Sequence, residues 1–257
     1  MLWNDTVFRT INEARKLTAK RNTRNIGFNG PLLELFDQGY TTAQLMGIRR
    51  LTDPTFHDPN KAVISLPRLI NDMRQNCDLI TRENYICYKG MTFEEVSHEK
   101  DGINWMHWKR MHENFDKLSN VLEDKRERTD KIAKNVFKSL PKELKVCEGL
   151  RAYANKFVAH ASDTRNRINL TEKQRNITLQ KLDDSYKAII RVASFLGAII
   201  LYEHSLGGVP VPQFNQIENL DKPMVTQEDL SNLYFYWQER TKEVGSWEGD
   251  LWSMFKS

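Results

Sequence analysis

A histidine near the end of a predicted helix, with amide and basic side chains before it, is the segment whose residue types suggest chemistry. His160 closes the stretch "LRAYANKFVAH", which also holds Arg151, Asn155 and Lys156. A histidine with a pKa near neutrality can accept or donate a proton, and a nearby cation can stabilise negative charge on a phosphate. Such groups are suited to cleaving RNA without a metal ion.

Helical geometry arranges these side chains unequally. Each residue of a regular α-helix turns by about 100°, so Lys156 is expected to share the face of His160. Asn155 lies further round, and Arg151 falls on nearly the opposite side if the helix stays regular. The alternative interpretation is that His160 is an ordinary residue at the boundary of the core.

The bulk composition is that of a soluble globular protein. The chain has 257 residues, 28% of them charged, and a formal net charge of +4. This charge is compatible with an anionic partner but is too small to imply nucleic acid by itself. Three cysteines without a C-x-x-C pair argue against a disulfide framework and a zinc module, which favours a cytoplasmic location. No secretory signal is visible, and the most apolar run, Ala188 to Tyr202, contains Arg191 and is short for a membrane span.

Apolar residues at three- and four-residue steps predict helices over most of the chain. The predicted elements are a helix over Asn4–Arg21, a short helix from Pro31, another capped by Thr41 or Thr42, a helix capped by Ser65 with Pro67 in its first turn, one long helix or two in sequence between Ile103 and Leu140, a new element from Pro141, and a helix of about thirty residues from a Thr171–Gln174 capping box to Gly207-Gly208. The segment "ICYKGMTFEEVSHEKDG" stays open between a strand pair and a loop. The predicted fold is all-α, an antiparallel bundle built on long central helices with additional N- and C-terminal helices.

The predicted organisation has three parts. Residues 1–208 form the helical domain, and a proline-bearing linker covers 209–225. Residues 226–257 form a C-terminal helical extension, opened by a cap at Thr226 and Asp229, which packs back on the domain through Leu233, Tyr234 and Trp237.

The other candidate groups favour structural roles. Two of the remaining histidines are predicted to lie in loops, His57 and His98, and two have a helical spacing that suits no metal pair, His107 and His112. His204 is predicted near a helix end, where it can interact favourably with the helix dipole. The run "EDKRERTDK" is predicted to be a solvated helix face. No G-x-x-x-x-G-K-[ST], G-x-G-x-x-G or H-E-x-x-H pattern occurs, so no cofactor or metal is expected.

Two segments resemble a known family. "YANKFVAHASD", set between long helices, resembles the motif of the HEPN superfamily, in which an arginine and a polar residue precede a histidine. "LMGIRRLTDPTFHDPNKAVISLPRLINDM" resembles the abortive-infection, AbiU-like branch of that superfamily. His160 matches the motif histidine and Asn155 the polar residue, but Ala154 stands at the arginine position.

The resemblance implies an all-α homodimer that acts on or binds RNA in a phage-defence or toxin–antitoxin setting, with a cognate regulatory protein as a possible partner. Active members are metal-independent endoribonucleases. In this chain His160 would transfer the proton, Lys156 or Arg151 would lie near the phosphate, and Asn155 would orient the substrate.

Ala154 motivates a second hypothesis. A chain without the motif arginine can instead be a catalytically degenerate HEPN scaffold that serves as a protein-interaction or regulatory module. Arg165 and Arg167 follow His160 and could reach back to supply a cation. The sequence leaves both hypotheses open.

Overall fold

The structure, a computed structural model, describes residues 1–20, 30–55, 63–87, 90–98, 105–159, 170–202, 215, 217–220, 222 and 226–246. It divides into two compact units, Met1–Pro210 and Val211–Ser257. The described residues form helices and no β-strand, so the all-α prediction is confirmed. The finer division at 208 and 225, and the packing of the C-terminal extension, remain predictions.

The first unit contains all but one of the described α-helices. They are α1 (Leu2–Lys20), α2 (Gly30–Leu51), α3 (Leu66–Gln75), α4 (Arg82–Ile86), α5 (Phe93–His98), α6 (Trp105–Ser119), α7 (Val136–Glu143), α8 (Glu148–Tyr153), α9 (Glu172–Arg175) and α10 (Leu179–Ser194). Two stretches of π-helix, Ala154–Val158 and Phe195–Ile200, extend α8 and α10. In the second unit Thr226 and Asp229 form the predicted cap of α11 (Asp229–Ser246).

Helix α2 is one continuous element, so the prediction of two short helices is wrong. It begins at Gly30, directly before Pro31, and runs through Thr41 and Thr42 without a break. Its buried residues are Tyr40, Gln44, Leu45 and Ile48, which continue one face across both predicted pieces. Packing of this face outweighs the weak helical propensity of Gly39.

The predicted start of α3 is confirmed. The Ser65 hydroxyl accepts a hydrogen bond from the backbone N–H of Arg68 at 3.4 Å, and Pro67 lies in the first turn. The same hydroxyl donates to the carbonyl of Asp53 at 2.7 Å. One side chain therefore caps α3 and satisfies a backbone acceptor beyond the end of α2.

The long helical stretch predicted up to Leu140 is interrupted. Helix α6 ends at Ser119, and Asn120 follows with a positive φ of 60°. The next α-helix begins at Val136, so Pro141 lies inside α7 instead of opening a new element. The segment that was left open between strands and a loop contains the short helix α5.

A buried arginine explains the interruption. The Arg82 side chain, 0% exposed, forms ion pairs with Asp116 at 2.9 Å and Asp130 at 2.8 Å. Asp116 also pairs with Arg126 at 2.6 Å. Most residues of "EDKRERTDK" are exposed, so the predicted solvation is confirmed, but the segment is not the face of an α-helix. Its half-buried residues Arg126 and Asp130 join the ion pairs around Arg82.

The helix predicted after Thr171 is also divided. The Thr171–Gln174 capping box is present, but α9 ends at Arg175. Thr178 then caps a new helix, α10, by accepting a hydrogen bond from the N–H of Lys181 at 3.2 Å. The predicted end at Gly207-Gly208 lies outside the described residues.

The most apolar run of the chain lies on α10 and the π-helix after it. Its residues Ile189, Val192, Leu196 and Ile200 are buried in the main core cluster. Among the residues that the structure describes, no helix is long and apolar enough to cross a membrane.

His112 lies beside the Arg82 cluster and gives the fold a pH dependence. Its Nδ1 atom is buried and has no hydrogen-bond partner among the described residues. Burial, helped by the nearby cations Arg126 and Arg82 and opposed by Asp116 and Glu123, lowers the pKa of His112 to about 4. An unfolded histidine has a pKa near 6.5, so the unfolded state binds a proton more readily between these values. The stability that neutral His112 contributes is complete above about pH 6.5 and is lost as the pH falls toward about 4.

We expect His112→Gln, which does not titrate, to flatten this dependence. Between about pH 7.5 and pH 5 the native chain should lose about 1 kcal/mol more unfolding free energy than the variant, allowing for partial exposure of the ring. Urea unfolding at the two pH values measures the difference. Equal losses in the two proteins would contradict the prediction.

Candidate functional site

The candidate site is a seam between the last turn of α2 and the helical run formed by α8 and the first π-helix. Helix α2 packs against both elements. Its buried face, which ends with Leu45 and Ile48, leaves Arg49 half-buried and Arg50 exposed in the last turn. Cations in this position also interact favourably with the helix dipole, which is their ordinary structural role.

The second side of the seam is ordered by its own buried face. Cys147, Leu150 and Ala154 are buried at three- and four-residue steps. This packing fixes the helical run on the core and leaves Arg151 and Asn155 half-buried at its edge.

Two hydrogen bonds join the two sides of the seam. The Nε–H of Arg49 donates to the amide oxygen Oδ1 of Asn155 at 2.5 Å. An Nη1–H of Arg151 donates to the backbone carbonyl of Thr52 at 2.8 Å. The predicted site residues Asn155 and Arg151 thus each contact a residue in the last turn of α2 or directly after it, about a hundred positions earlier in the chain.

The contact of Arg151 has a structural explanation. The last carbonyls of an α-helix lack intrahelical partners, and Thr52 directly follows α2 and is fully buried. Arg151 satisfies the carbonyl of Thr52, as Ser65 satisfies that of Asp53. One of the two predicted phosphate-binding cations is therefore also a cap of α2.

The helix that carries the motif is not regular. In the π-helical stretch Ala154–Val158 the N–H of Ala159 donates to the carbonyl of Ala154 at 2.8 Å, five residues back. The 100° step that separated Lys156 from Arg151 in the sequence analysis therefore does not hold across these residues. π-Helical turns occur frequently at functional sites.

The seam is positively charged. Arg49 and Arg151 contact only neutral oxygens, and within the described part of the chain Arg50 and Lys156 make no hydrogen bond or ion pair. The carboxylate of Asp53, close in sequence, accepts hydrogen bonds from Thr55. Four cations on two adjacent elements therefore have no carboxylate partner among the described residues, in contrast to Arg82 with its two aspartates.

Arg49 was missed by sequence reasoning, although its segment was noticed. The quoted stretch "IRRLTD" carried the resemblance to the abortive-infection branch, but periodicity within α2 cannot pair Arg49 with Asn155. The two residues are separated by 106 positions. A tertiary contact at this separation leaves no local pattern.

Several predicted residues lie outside the described residues. They are His160, Arg165, Arg167, His57 and His204. Of the other histidines, His107 Nδ1 lies 3.1 Å from the hydroxyl of Tyr202. No group of three or more His, Cys, Asp or Glu side chains able to hold a metal occurs within the described ranges.

Ala154, the residue at the motif arginine position, is fully buried at 0% exposed. It belongs to the main core cluster. A longer side chain at this position would enter the core instead of reaching the seam.

Comparison with known proteins adds family information. The HEPN family model described as AbiU2 matches residues 2–207, which is most of the chain. The matched range includes both sides of the seam and ends before α11. No curated protein and no solved structure matches the chain.

The burial of Ala154 gives a testable prediction. Ala154→Arg should destabilise the fold by at least about 2 kcal/mol, because it overpacks the core and buries an unpaired charge. It should not create a more active protein. Urea unfolding measures the loss, with Ala43→Arg at an exposed position of α2 as the matched control. Native-like stability of the Ala154 variant would show that the position has room for a cation.

Proposed function

Because the chain belongs to the AbiU2 family of HEPN proteins, we propose that it binds RNA at the seam between α2 and α8 and cleaves it without a metal ion. Membership in the HEPN family supports an RNA-related or abortive-infection function. More specifically, we propose that the protein is an endoribonuclease that acts in a phage-defence or toxin–antitoxin system.

The observation that carries the proposal is the group of four cations that have no carboxylate partner in the part of the chain that the structure describes. Where an arginine serves only the fold, as Arg82 does, aspartates neutralise its charge. At the seam the positive charge of Arg49, Arg50, Arg151 and Lys156 remains available to an anion. An RNA backbone carries one negative charge per phosphate, so this arrangement favours RNA among anionic partners in an RNA-related family.

The proposed reaction is an internal transfer within RNA. His160 removes the proton from a ribose 2′-hydroxyl, and the 2′-oxygen attacks the adjacent phosphorus. The bond from phosphorus to the 5′-oxygen breaks, which leaves a 2′,3′-cyclic phosphate, and the 5′-oxygen takes up a proton to leave as a hydroxyl. Lys156 and Arg151 stabilise the charge that develops on the phosphate oxygens, and Asn155 orients the groups around it.

The wider setting is part of the same proposal. The protein acts in the cytoplasm as a homodimer, and a cognate regulatory protein controls it. No cofactor takes part.

One observation favours a second candidate function. Ala154 is buried, so the motif position itself cannot supply a cation to the seam. A HEPN scaffold that has lost its motif arginine can retain the fold and act as a protein-interaction or regulatory module.

Replacement of His160 tests the enzymatic proposal. His160→Ala should lower the rate of RNA cleavage by at least about a hundredfold, because a positioned acid–base group contributes roughly that much or more. Its far-ultraviolet circular dichroism should match that of the native chain. His107→Gln serves as the matched control, since His107 contacts Tyr202 on other elements.

Two results would contradict the enzymatic proposal. Undiminished cleavage by His160→Ala would remove His160 from the mechanism. RNA binding by the native chain without cleavage of any single-stranded or structured RNA would support the scaffold function instead.

A further inference from the structure

We infer that Arg49 is the principal phosphate-binding residue of the seam and that Asn155 holds its guanidinium in position. This inference rests on the proposed function, since it assigns the RNA contact to a residue that the motif does not contain. The juxtaposition that carries it is the single hydrogen bond between Arg49 Nε and Asn155 Oδ1.

The pattern of bonds on Arg49 is that of an arginine prepared for an anion. Its Nε–H is held by Asn155, and among the described residues its terminal nitrogens Nη1 and Nη2 have no hydrogen bond or ion pair. Since these nitrogens are not buried, they are accessible to a ligand. A guanidinium fixed at Nε can present the remaining N–H groups to two oxygens of one phosphate.

The partner of Arg49 is suited to positioning without neutralisation. The side-chain amide of Asn155 accepts a hydrogen bond but carries no charge. A carboxylate at the same place would hold Arg49 equally well and would cancel its attraction for an anion. Asn155 is therefore a positioning residue, and its neutrality matters as much as its location.

The other cations of the seam are less suited to this role. Arg151 uses Nη1 to cap the carbonyl of Thr52, so part of its donor capacity is already occupied. Lys156 presents a point charge without the planar geometry that binds phosphate through two hydrogen bonds. Arg50 is exposed and is not held by any described residue, so ordering its side chain on RNA would cost conformational entropy.

Position 154 cannot provide an alternative. Its side chain is buried in the core and precedes Asn155 directly in the chain. Because Arg49 contacts Asn155, α2 positions a guanidinium beside the residue that follows the buried Ala154. The cation comes from another helix, 106 positions away.

Salt-dependent RNA binding tests this assignment. The probe is a fluorescein-labelled single-stranded RNA of about twelve nucleotides, with 2′-O-methyl groups that block cleavage. Fluorescence anisotropy with the full chain gives the dissociation constant over a series of KCl concentrations. Each phosphate contact contributes about 0.7 to the slope of log affinity against log salt for single strands.

Charge and geometry are separated by two variants of Arg49. Arg49→Gln should weaken binding about tenfold or more and reduce the salt slope by about 0.7, since one charge-assisted phosphate contact is lost. Arg49→Lys should keep the slope but weaken binding severalfold, because lysine cannot bind two oxygens in one plane. Arg128→Gln, at an exposed arginine that pairs with Glu83 and Glu94 on other elements, is the matched control and should change neither quantity.

A variant of the partner residue tests the positioning role. Asn155→Asp keeps a hydrogen-bond acceptor for Arg49, so it should retain the fold. Its added negative charge should weaken RNA binding and lower the salt slope as Arg49→Gln does. A purely structural role for Asn155 predicts unchanged binding by this variant.

The outcomes distinguish the inference from the function on which it rests. Native-like affinity and slope in Arg49→Gln, with RNA binding by the native chain intact, would overturn the assignment of Arg49 and leave the proposed function standing. Absence of RNA binding by the native chain would overturn the proposed function and the inference together. If Arg49→Gln does not fold, as judged by circular dichroism, Arg49→Lys and Asn155→Asp still decide the assignment.

Discussion

The hydrogen bond from Arg49 to Asn155 is the contact on which the account of the seam depends. It joins the last turn of α2 to a helical run that starts more than ninety positions later, at Glu148. The bond orients a guanidinium without neutralising it, because its acceptor is an amide. The second hydrogen bond, from Arg151 to the carbonyl of Thr52, caps the end of α2 and links α8 to it. Together these bonds place cations from both helices beside the segment that leads to the motif histidine.

Arginine is used in two physically different ways in this fold. Arg82 is fully buried and has two aspartates as partners, so it organises the irregular segment after α6 and has no charge left for a ligand. The cations of the seam are at least partly exposed and contact neutral oxygens or no described group. A buried charge requires its partners, whereas an incompletely buried charge can remain unpaired at modest cost. This difference is the physical basis of our proposal that the seam binds an anion.

Local signals predicted much of the fold, and long-range contacts account for what was missed. The caps at Ser65, Thr171 and Thr226 depend on residues three positions apart, so they could be identified from sequence. The continuity of α2 could not be predicted locally, because it depends on the burial of one helix face. The early end of α9 was missed because Thr178 caps a new helix shortly after it. Asn155 and Arg151 were predicted as site residues from the motif resemblance and from residue type, and their functional roles remain predictions. Arg49 became visible only when the fold placed it beside Asn155.

A double-mutant cycle between Arg49 and Asn155 tests the central contact most directly. The free energies of urea unfolding are measured for the native chain, Arg49→Met, Asn155→Ala and the double variant. A hydrogen bond to a charged donor predicts that the effects of the single changes are not additive, with a coupling energy on the order of 1 kcal/mol. Additivity within about 0.3 kcal/mol would mean that the two side chains do not interact, and would contradict this description of the seam.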